Sequence, residues 1–520
     1  MDFICDSTYI VFPVSRHASC KTISFLCGGK TVFDFKAAID YISPEYFAYC
    51  NLERFRGSRL SVKCEPEMNI NIEKTDTIPK NKTKDPLRPT VHFTASRGWL
   101  NDPNGLVFSD GVYHMFFQHN PYGTAWGNMH WGHAISSDLM HWSELDEALY
   151  PDQSGTMFSG SGIADVNNVL GLKSGGNDTL VLFYTAAGGY SKSSENKKFT
   201  QCMAFSTDGG KTFEKYDKNP IIDHIEAENR DPKVIYCEQT KKYVMTLYLA
   251  ESRYALFTSE NLTDWVRTDT IEIKGDSECP DLYPLPLDGD PKNIKWIFSG
   301  ASDKYLVGSF GGSRFMPDGE PETFQHGKHF YAAQTWSDVP NSRRIRIGWY
   351  RVDIPSANFN CAMTVPHRLS LCSTPGGMRL SAEPVEEIKK LYAHSEYIDK
   401  IILDRSGIYK KELPRSAYDI SMSLCTKADS MPEITIFGMK ISIDTCLGRI
   451  NCCGESCTYT PSDRLDIRLI IDTCGIELFA DNGLIYIVGG ALADFNLDYM
   501  QIKAESGAVE NLEINRLKTI

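Results

Sequence analysis

Three short acidic segments carry the residues best suited to chemistry: Asp102 in Trp99-Leu100-Asn101-Asp102-Pro103-Asn104-Gly105, Asp231 in Arg230-Asp231-Pro232-Lys233, and Glu278 in Glu278-Cys279-Pro280-Asp281. Carboxyls brought to one pocket in unlike surroundings are the equipment of general acid and base catalysis. Pro103 fixes the backbone after Asp102 and Asn104-Gly105 supplies a turn, so this carboxylate is expected at a strand end. Asp231 lies between a guanidinium and a proline, ahead of the strand-like run Val234 to Cys237. Glu278 is flanked by Cys279 and Pro280 before Leu282-Tyr283-Pro284-Leu285, an apolar setting of the kind a general acid working near neutral pH requires. Each segment also has a plainer reading: an Asx turn for Asp102, a surface ion pair for Arg230 and Asp231.

The elements that must hold these acids are strands. Short apolar or alternating runs bounded by Gly, Asn, Asp and Pro dominate, as in Gly111 to Gln118, Leu180 to Thr185, Lys242 to Leu249, Lys295 to Gly300 and Arg343 to Tyr350. A Ser followed by Asp or Glu, a turn and an aromatic residue recurs as Ser137-Asp138 to Trp142, Ser206-Thr207-Asp208 to Phe213, and Ser259-Glu260 to Trp265. The interval is roughly 50 to 70 residues, the scale of a four-stranded propeller blade, although hairpins of a sandwich favour the same residues. Adjacent blades would deliver the three acids to one axial pocket.

The Pro-punctuated stretch Thr75 to Pro89 marks a linker, placed at 81–90, after a small β domain over 1–80. Pro384 and the run that follows it predict a connecting helix over 383–396. Alternation then resumes to residue 520, with Ile434 to Ile443, Leu465 to Ile471 and Gly475 to Ala480 as strands of a sandwich.

In this order and on this repeating β background, the motifs resemble glycoside hydrolase family 32, which contains invertases, inulinases and levanases. The three acidic segments are similar to the family's W-M-N-D-P-N-G, R-D-P and E-C-P, with Leu100 in place of the common Met. Further matches are Tyr113 to Gly123, Trp126 to His133, Phe158 to Ser161, Phe330 to Trp336 and the tail segment Asp472 to Gly483. The resemblance implies an all-β chain with a five-bladed β-propeller over 91–382 and a β-sandwich over 397–520. It implies a retaining β-fructofuranosidase in which Asp102 attacks the fructosyl anomeric carbon, Glu278 protonates the leaving oxygen and then activates water, and Asp231 holds fructose hydroxyls. A two-carboxylate retaining enzyme sets its carboxyls about 5 to 5.5 Å apart. On this reading Asp102 must be ionised among polar neighbours, Glu278 needs an apolar surround, and Arg230 keeps Asp231 charged. Asn101, Gln118, Trp126, Phe158, Ser159 and Arg230 are the residues to which the resemblance gives the fructose pocket; for Trp126 and Phe158, core packing is the alternative.

Two stretches depart from the family pattern. Gln325 to His329 lacks the acids of D-x-G-x-D, and Pro355 to Leu369 replaces a Trp-rich segment ending in P-R-E-L. The second form, with the extra amino-terminal domain, looks more like the fructan-hydrolase branch. A fructosyltransferase using the same site, and a non-catalytic glycan-binding protein on the same scaffold, are the other readings.

Bulk properties agree with a neutral sugar as partner. The chain has 520 residues, 42% of them hydrophobic, and a formal net charge of −13 without a long basic run, which disfavours nucleic acid. No window approaches the length of a membrane-spanning helix, and Met1 to Pro13 lacks the basic and apolar parts of a secretory signal, so the expected location is the cytoplasm. His130, His133 and His141 do not form a ligand array, so neither a metal nor another cofactor is expected. The sixteen cysteines read as mainly buried thiols, and a homo-oligomer is compatible with everything above.

Overall fold

The structure, a computed structural model, describes residues 1–79, 85–173, 175–403, 407–426 and 430–519. Part of the expected linker, 81–84, lies outside these residues. Strands dominate throughout, and within the described residues no helix is long and apolar enough to cross a membrane.

The amino-terminal residues form two antiparallel sheets. Asp2–Ile4, Arg59–Glu65, Lys21–Cys27 and Lys30–Ala37 make one; Tyr46–Asn51, Tyr9–Val14 and Glu73–Thr75 make the other. Alternating apolar residues drive the pairing, because Phe12, Phe25, Phe33 and Phe35 meet in a common core. Tyr122, from beyond this domain, completes that core and stacks on Phe35 with ring centroids 4.0 Å apart.

Five antiparallel sheets follow in chain order. Their first strands are Gly98–Ser109, Thr156–Asp165, Arg230–Cys237, Asp281–Pro286 and Phe330–Thr335. Each of these packs against the next, and the fifth packs back on the first, closing a ring. The short strand Phe359–Asn360 runs parallel to Gly98–Trp99 and adds a second tie between the ends of the ring. These inner strands are buried along most of their length even where they carry polar residues, as in Gly98–Ser109 and Arg230–Cys237, whereas Val266–Glu272, on the outside of its sheet, is largely exposed.

The Ser-Asp repeat is the turn between the third and fourth strands of the first three sheets. Asp138 accepts hydrogen bonds from the amides of Met140 and His141, and Asp208 from those of Lys211 and Thr212. In the third copy Asn261 does this work, accepting from Thr263 and Asp264, while Glu260 pairs with Lys242. The repeat is therefore a hydrogen-bonding device, for which Asp and Asn are equivalent acceptors.

Beyond the ring, a seven-stranded sheet and a six-stranded sheet enclose a second core that includes Ile420, Ile434, Ile467, Leu478 and Ile502. Two expectations are corrected here. The helix over 383–396 is a 3-10 turn, Glu386–Leu391, between the strands Gly377–Pro384 and Tyr392–Leu403. Ile388 and Leu391 are buried three residues apart, the period of a 3-10 turn, and Val385 at its start supplies no capping side chain. The single strand expected over Ile434 to Ile443 is a hairpin, Glu433–Ile436 and Met439–Asp444, because Phe437 and Gly438 take φ of 48° and 79°. Cys5, Cys50, Cys202, Cys237, Cys279 and Cys361 are buried as expected, whereas Cys20 and Cys27 are exposed.

Candidate active site

Asp102 and Asp231 lie near the starts of inner strands, at places where regular pairing breaks down, and Glu278 lies three residues ahead of the inner strand Asp281–Pro286. Register shifts occur between Leu100 and Pro103, between Phe158 and Gly160, and between Arg230 and Lys233. A bulge turns a side chain away from the regular alternation, and here it aims Asp102, Ser159 and Asp231 at one another. Asp231, Glu278 and Cys279 have φ of 65°, 59° and 36°, a left-handed conformation that non-glycine residues adopt at a cost. At Gly160 a Cβ would lie 1.9 Å from the carbonyl oxygen of Phe183, so only glycine admits this bulge.

The side chains then form a connected cluster. Ser159 Oγ donates to Asp102 Oδ2 at 2.7 Å. Cys279 Sγ lies 3.7 Å from the same oxygen and 3.5 Å from Asp231 Oδ2, and its backbone N–H donates to Asp231 Oδ2 at 3.1 Å. Burial and the surrounding carboxylates push the Cys279 thiol well above its ordinary range, which keeps it an S–H donor between the two aspartates. Arg230 Nη2 donates to Glu278 Oε1 at 2.7 Å, its Nε sits 3.8 Å from Asp231 Oδ2, and its guanidinium lies over the Tyr248 ring. Tyr331 Oη donates to Glu278 Oε2 at 2.8 Å. Thr185 Oγ1 accepts from the Asp231 amide and donates to Gln201, so the strained turn is anchored from the neighbouring sheet.

Six of the nine expected residues, Asn101, Asp102, Ser159, Arg230, Asp231 and Glu278, belong to this cluster. Phe158 adjoins Ser159 and meets Trp126 edge-on at 5.8 Å. Trp126 is 49% exposed, which removes the core-packing alternative for it. Gln118 is buried and donates to the Met157 carbonyl beside Phe158. Two contributors escaped the sequence reading. Tyr331 falls within Phe330 to Trp336 with no local feature that marks it, and Cys279 is marked in sequence only as the neighbour of Glu278.

The electrostatics correct two expectations. Glu278 is not in an apolar surround: a cation and a phenol hold its two oxygens, and its side chain is 31% exposed. Arg230 does not keep Asp231 at the ordinary carboxylate value, because burial outweighs the guanidinium and raises Asp231 to about 7, with Glu278 and Asp102 adding to the rise. Burial also raises Asp102, opposed by its hydrogen bonds from Ser159 and Asn101.

The raised Asp231 predicts a pH-dependent stability. An unfolded aspartate titrates near 3.9, so between about pH 4 and pH 7 the folded chain binds the additional proton and stability falls as pH rises. The penalty is complete above the folded value of about 7, and a shift of this size is worth at most about 4 kcal/mol. Asp231→Asn removes the titration and keeps an acceptor for the Cys279 amide. It should therefore raise the thermal midpoint relative to the wild type at pH 8 and change it little at pH 4 in scanning calorimetry. An equal effect at both pH values would contradict the assignment.

The chain's likeness to known proteins agrees with this geometry. Residues 92–384 match the family model described as the glycosyl hydrolases family 32 N-terminal domain. A levanase of Bacillus subtilis is 33% identical over 489 residues, covering 83% of this chain and 71% of the levanase. An invertase of Schizosaccharomyces pombe is 37% identical over 320 residues, covering 55% of this chain and 54% of the invertase. In three dimensions, the crystal structure of an exo-inulinase from Aspergillus awamori superposes with a TM-score of 0.74 at 26% identity, covering 84% of this chain and 99% of that one. The all-β architecture is that of the family's structures, a β-propeller followed by a β-sandwich. With the family model spanning more than half of the sequence and the levanase aligning over most of both chains, this protein belongs to glycosyl hydrolase family 32.

Proposed function

We propose that the protein is a retaining β-fructofuranosidase that releases terminal fructose from fructans and sucrose. The observation that carries the reading is the single cluster in which Ser159 holds Asp102, Cys279 joins Asp102 to Asp231, and Arg230 with Tyr331 grips Glu278. The names of the relatives, levanase, invertase and exo-inulinase, agree on fructosyl substrates. The levanase match extends over more of this chain than the invertase match and favours a fructan.

In this mechanism Asp102 attacks the anomeric carbon while Glu278 gives its proton to the departing glycosidic oxygen, leaving a fructosyl ester on Asp102. Glu278, now a carboxylate, takes a proton from water as the water attacks the same carbon, and two inversions retain the configuration. Ser159 orients Asp102, and Arg230 with Tyr331 fixes the angle from which Glu278 approaches the leaving oxygen. Asp231, titrating near 7, can both donate to and accept from fructose hydroxyls. Asn101 and Gln118 add amides, and Trp126 and Phe158 present apolar faces to the sugar's C–H groups. Each of the five sheets serves as one blade of a five-bladed propeller, an arrangement supported by the closed ring of first strands.

A product assay tests the reading. Sucrose, inulin and levan incubated separately with the protein should each yield free fructose, with the fructans consumed from the chain end. Longer fructans as the main product at high sucrose would replace the hydrolase with a transferase, and no reaction on any of the three would refute the proposal.

A further inference from the structure

The amino-terminal sheets precede the segment that matches the family model, yet they are fastened to the loops around the site. Asn128, with φ of 47°, accepts from the Lys36 amide and donates to the Lys36 carbonyl, both at 2.8 Å. Asn128 lies two residues beyond Trp126, so this pair of hydrogen bonds fixes the loop that carries the indole. Arg16 Nη1 donates to the Ala357 carbonyl at 3.0 Å, and Asp34 accepts from the amides of Lys192 and Ser193 at 3.0 and 2.8 Å. Three separate loops are thereby held against one face of the domain.

These ties leave a cleft of about 440 Å3 between the domain and the ring. Arg16, Lys36, Ala38 and Tyr46 line one side; Trp126 and Tyr190 line the other. The volume falls within the range of roughly 300 to 1,000 Å3 seen for small-molecule sites. Trp126 and Tyr190 are 49% and 40% exposed, unusual for large rings in a concavity, and their centroids are 5.7 Å apart. Both rings also touch Phe158, at 5.8 and 5.0 Å, and Phe158 is next in sequence to Ser159, which binds Asp102. An aromatic path therefore runs from the candidate nucleophile's partner into the cleft.

Exposed rings beside amide and cationic donors make a surface for the C–H faces and hydroxyls of a neutral sugar. Building on the proposed fructosidase reading, we infer that this cleft binds the fructosyl units beyond the scissile bond, so that the amino-terminal domain is a substrate-holding module for longer fructans. The fructosyl unit of sucrose meets Trp126, but so short a substrate ends before the domain wall formed by Arg16, Lys36, Ala38 and Tyr46.

Ala38→Trp, on the domain wall and outside the catalytic cluster, fills the cleft; Tyr190→Ala, which trims an exposed ring, tests it without adding bulk. Each should lower kcat/KM on a long inulin or levan by about tenfold, equivalent to about 1.4 kcal/mol, and leave hydrolysis of sucrose within about twofold. Unchanged values on both substrates, or equal losses on both, would overturn the inference. Calorimetric titration with fructo-oligosaccharides in an Asp102→Asn background reads the cleft without turnover, and there Ala38→Trp should weaken oligosaccharide binding but not fructose binding. Equal affinities with and without Ala38→Trp refute the cleft and leave the fructosidase reading standing. If the wild type releases no fructose, that reading falls and the titration alone decides the cleft.

Discussion

Asp102→Asn should lower turnover of sucrose and fructans by on the order of 10^4-fold or more while leaving the fold and fructose affinity nearly unchanged. The substitution is isosteric and keeps an oxygen that can accept from Ser159, now 2.7 Å from the carboxylate. What it removes is the anion that forms the covalent bond to the sugar, and a factor of 10^4 corresponds to about 5.5 kcal/mol of barrier. The fold should tolerate the change because burial already disfavours the charged form of Asp102. The checks are steady-state release of fructose, a thermal melt, and fructose titration on one preparation. Turnover near the wild-type value would remove Asp102 from the nucleophile's role; lost turnover with a collapsed melt would instead make it a structural residue.

Much of this site was legible in the sequence because its parts are short and local. Trp99 to Gly105, Arg230 to Lys233, Glu278 to Asp281 and Phe158 to Ser161 each contain the acid or hydroxyl together with the Pro or Gly that shapes its backbone. Local chemistry at a bulge survives in sequence as a motif, and the structure shows bulges or left-handed residues in each of these segments. Long-range pairing leaves no such trace. The Tyr331 to Glu278 bond and the Cys279 bridge between two aspartates depend on which strands the ring places side by side, and neither tyrosine nor cysteine is distinctive in a chain with 25 of one and 16 of the other.

The electrostatic expectations failed for a related reason. Arg230 adjoins Asp231 in sequence, which suggested that they pair, yet the closer bond of its guanidinium is to Glu278, 48 residues away. Register explains this. The bulge at Arg230 to Lys233 turns neighbouring side chains out of strict alternation, so adjacency in the chain no longer fixes which carboxylate the guanidinium meets. The helix expected over 383–396 failed differently: its apolar spacing suits a 3-10 turn, and the residues from Tyr392 pair instead with Gly507–Leu517. Tertiary pairing overrode a weak local preference.

Glu278→Gln separates the acid's role from simple binding, because its effect should depend on the leaving group. A glutamine at this position still accepts from Arg230 and meets Tyr331, so the pocket keeps its shape, but it has no proton to give. Loss of a general acid costs about 10^2- to 10^4-fold, and sucrose, whose leaving sugar is a poor one without protonation, should show the full deficit. An aryl fructoside with a weakly basic leaving group needs little help to depart, so its first step should be much less impaired. Its fructosyl ester on Asp102 would then accumulate, because Glu278 is also the base that activates water. Azide attacks without a base; added azide should restore turnover of the aryl substrate and yield fructosyl azide, while sucrose remains inert. Equal deficits on both substrates, unrelieved by azide, would show that Glu278 shapes the pocket through Arg230 and Tyr331 and transfers no proton.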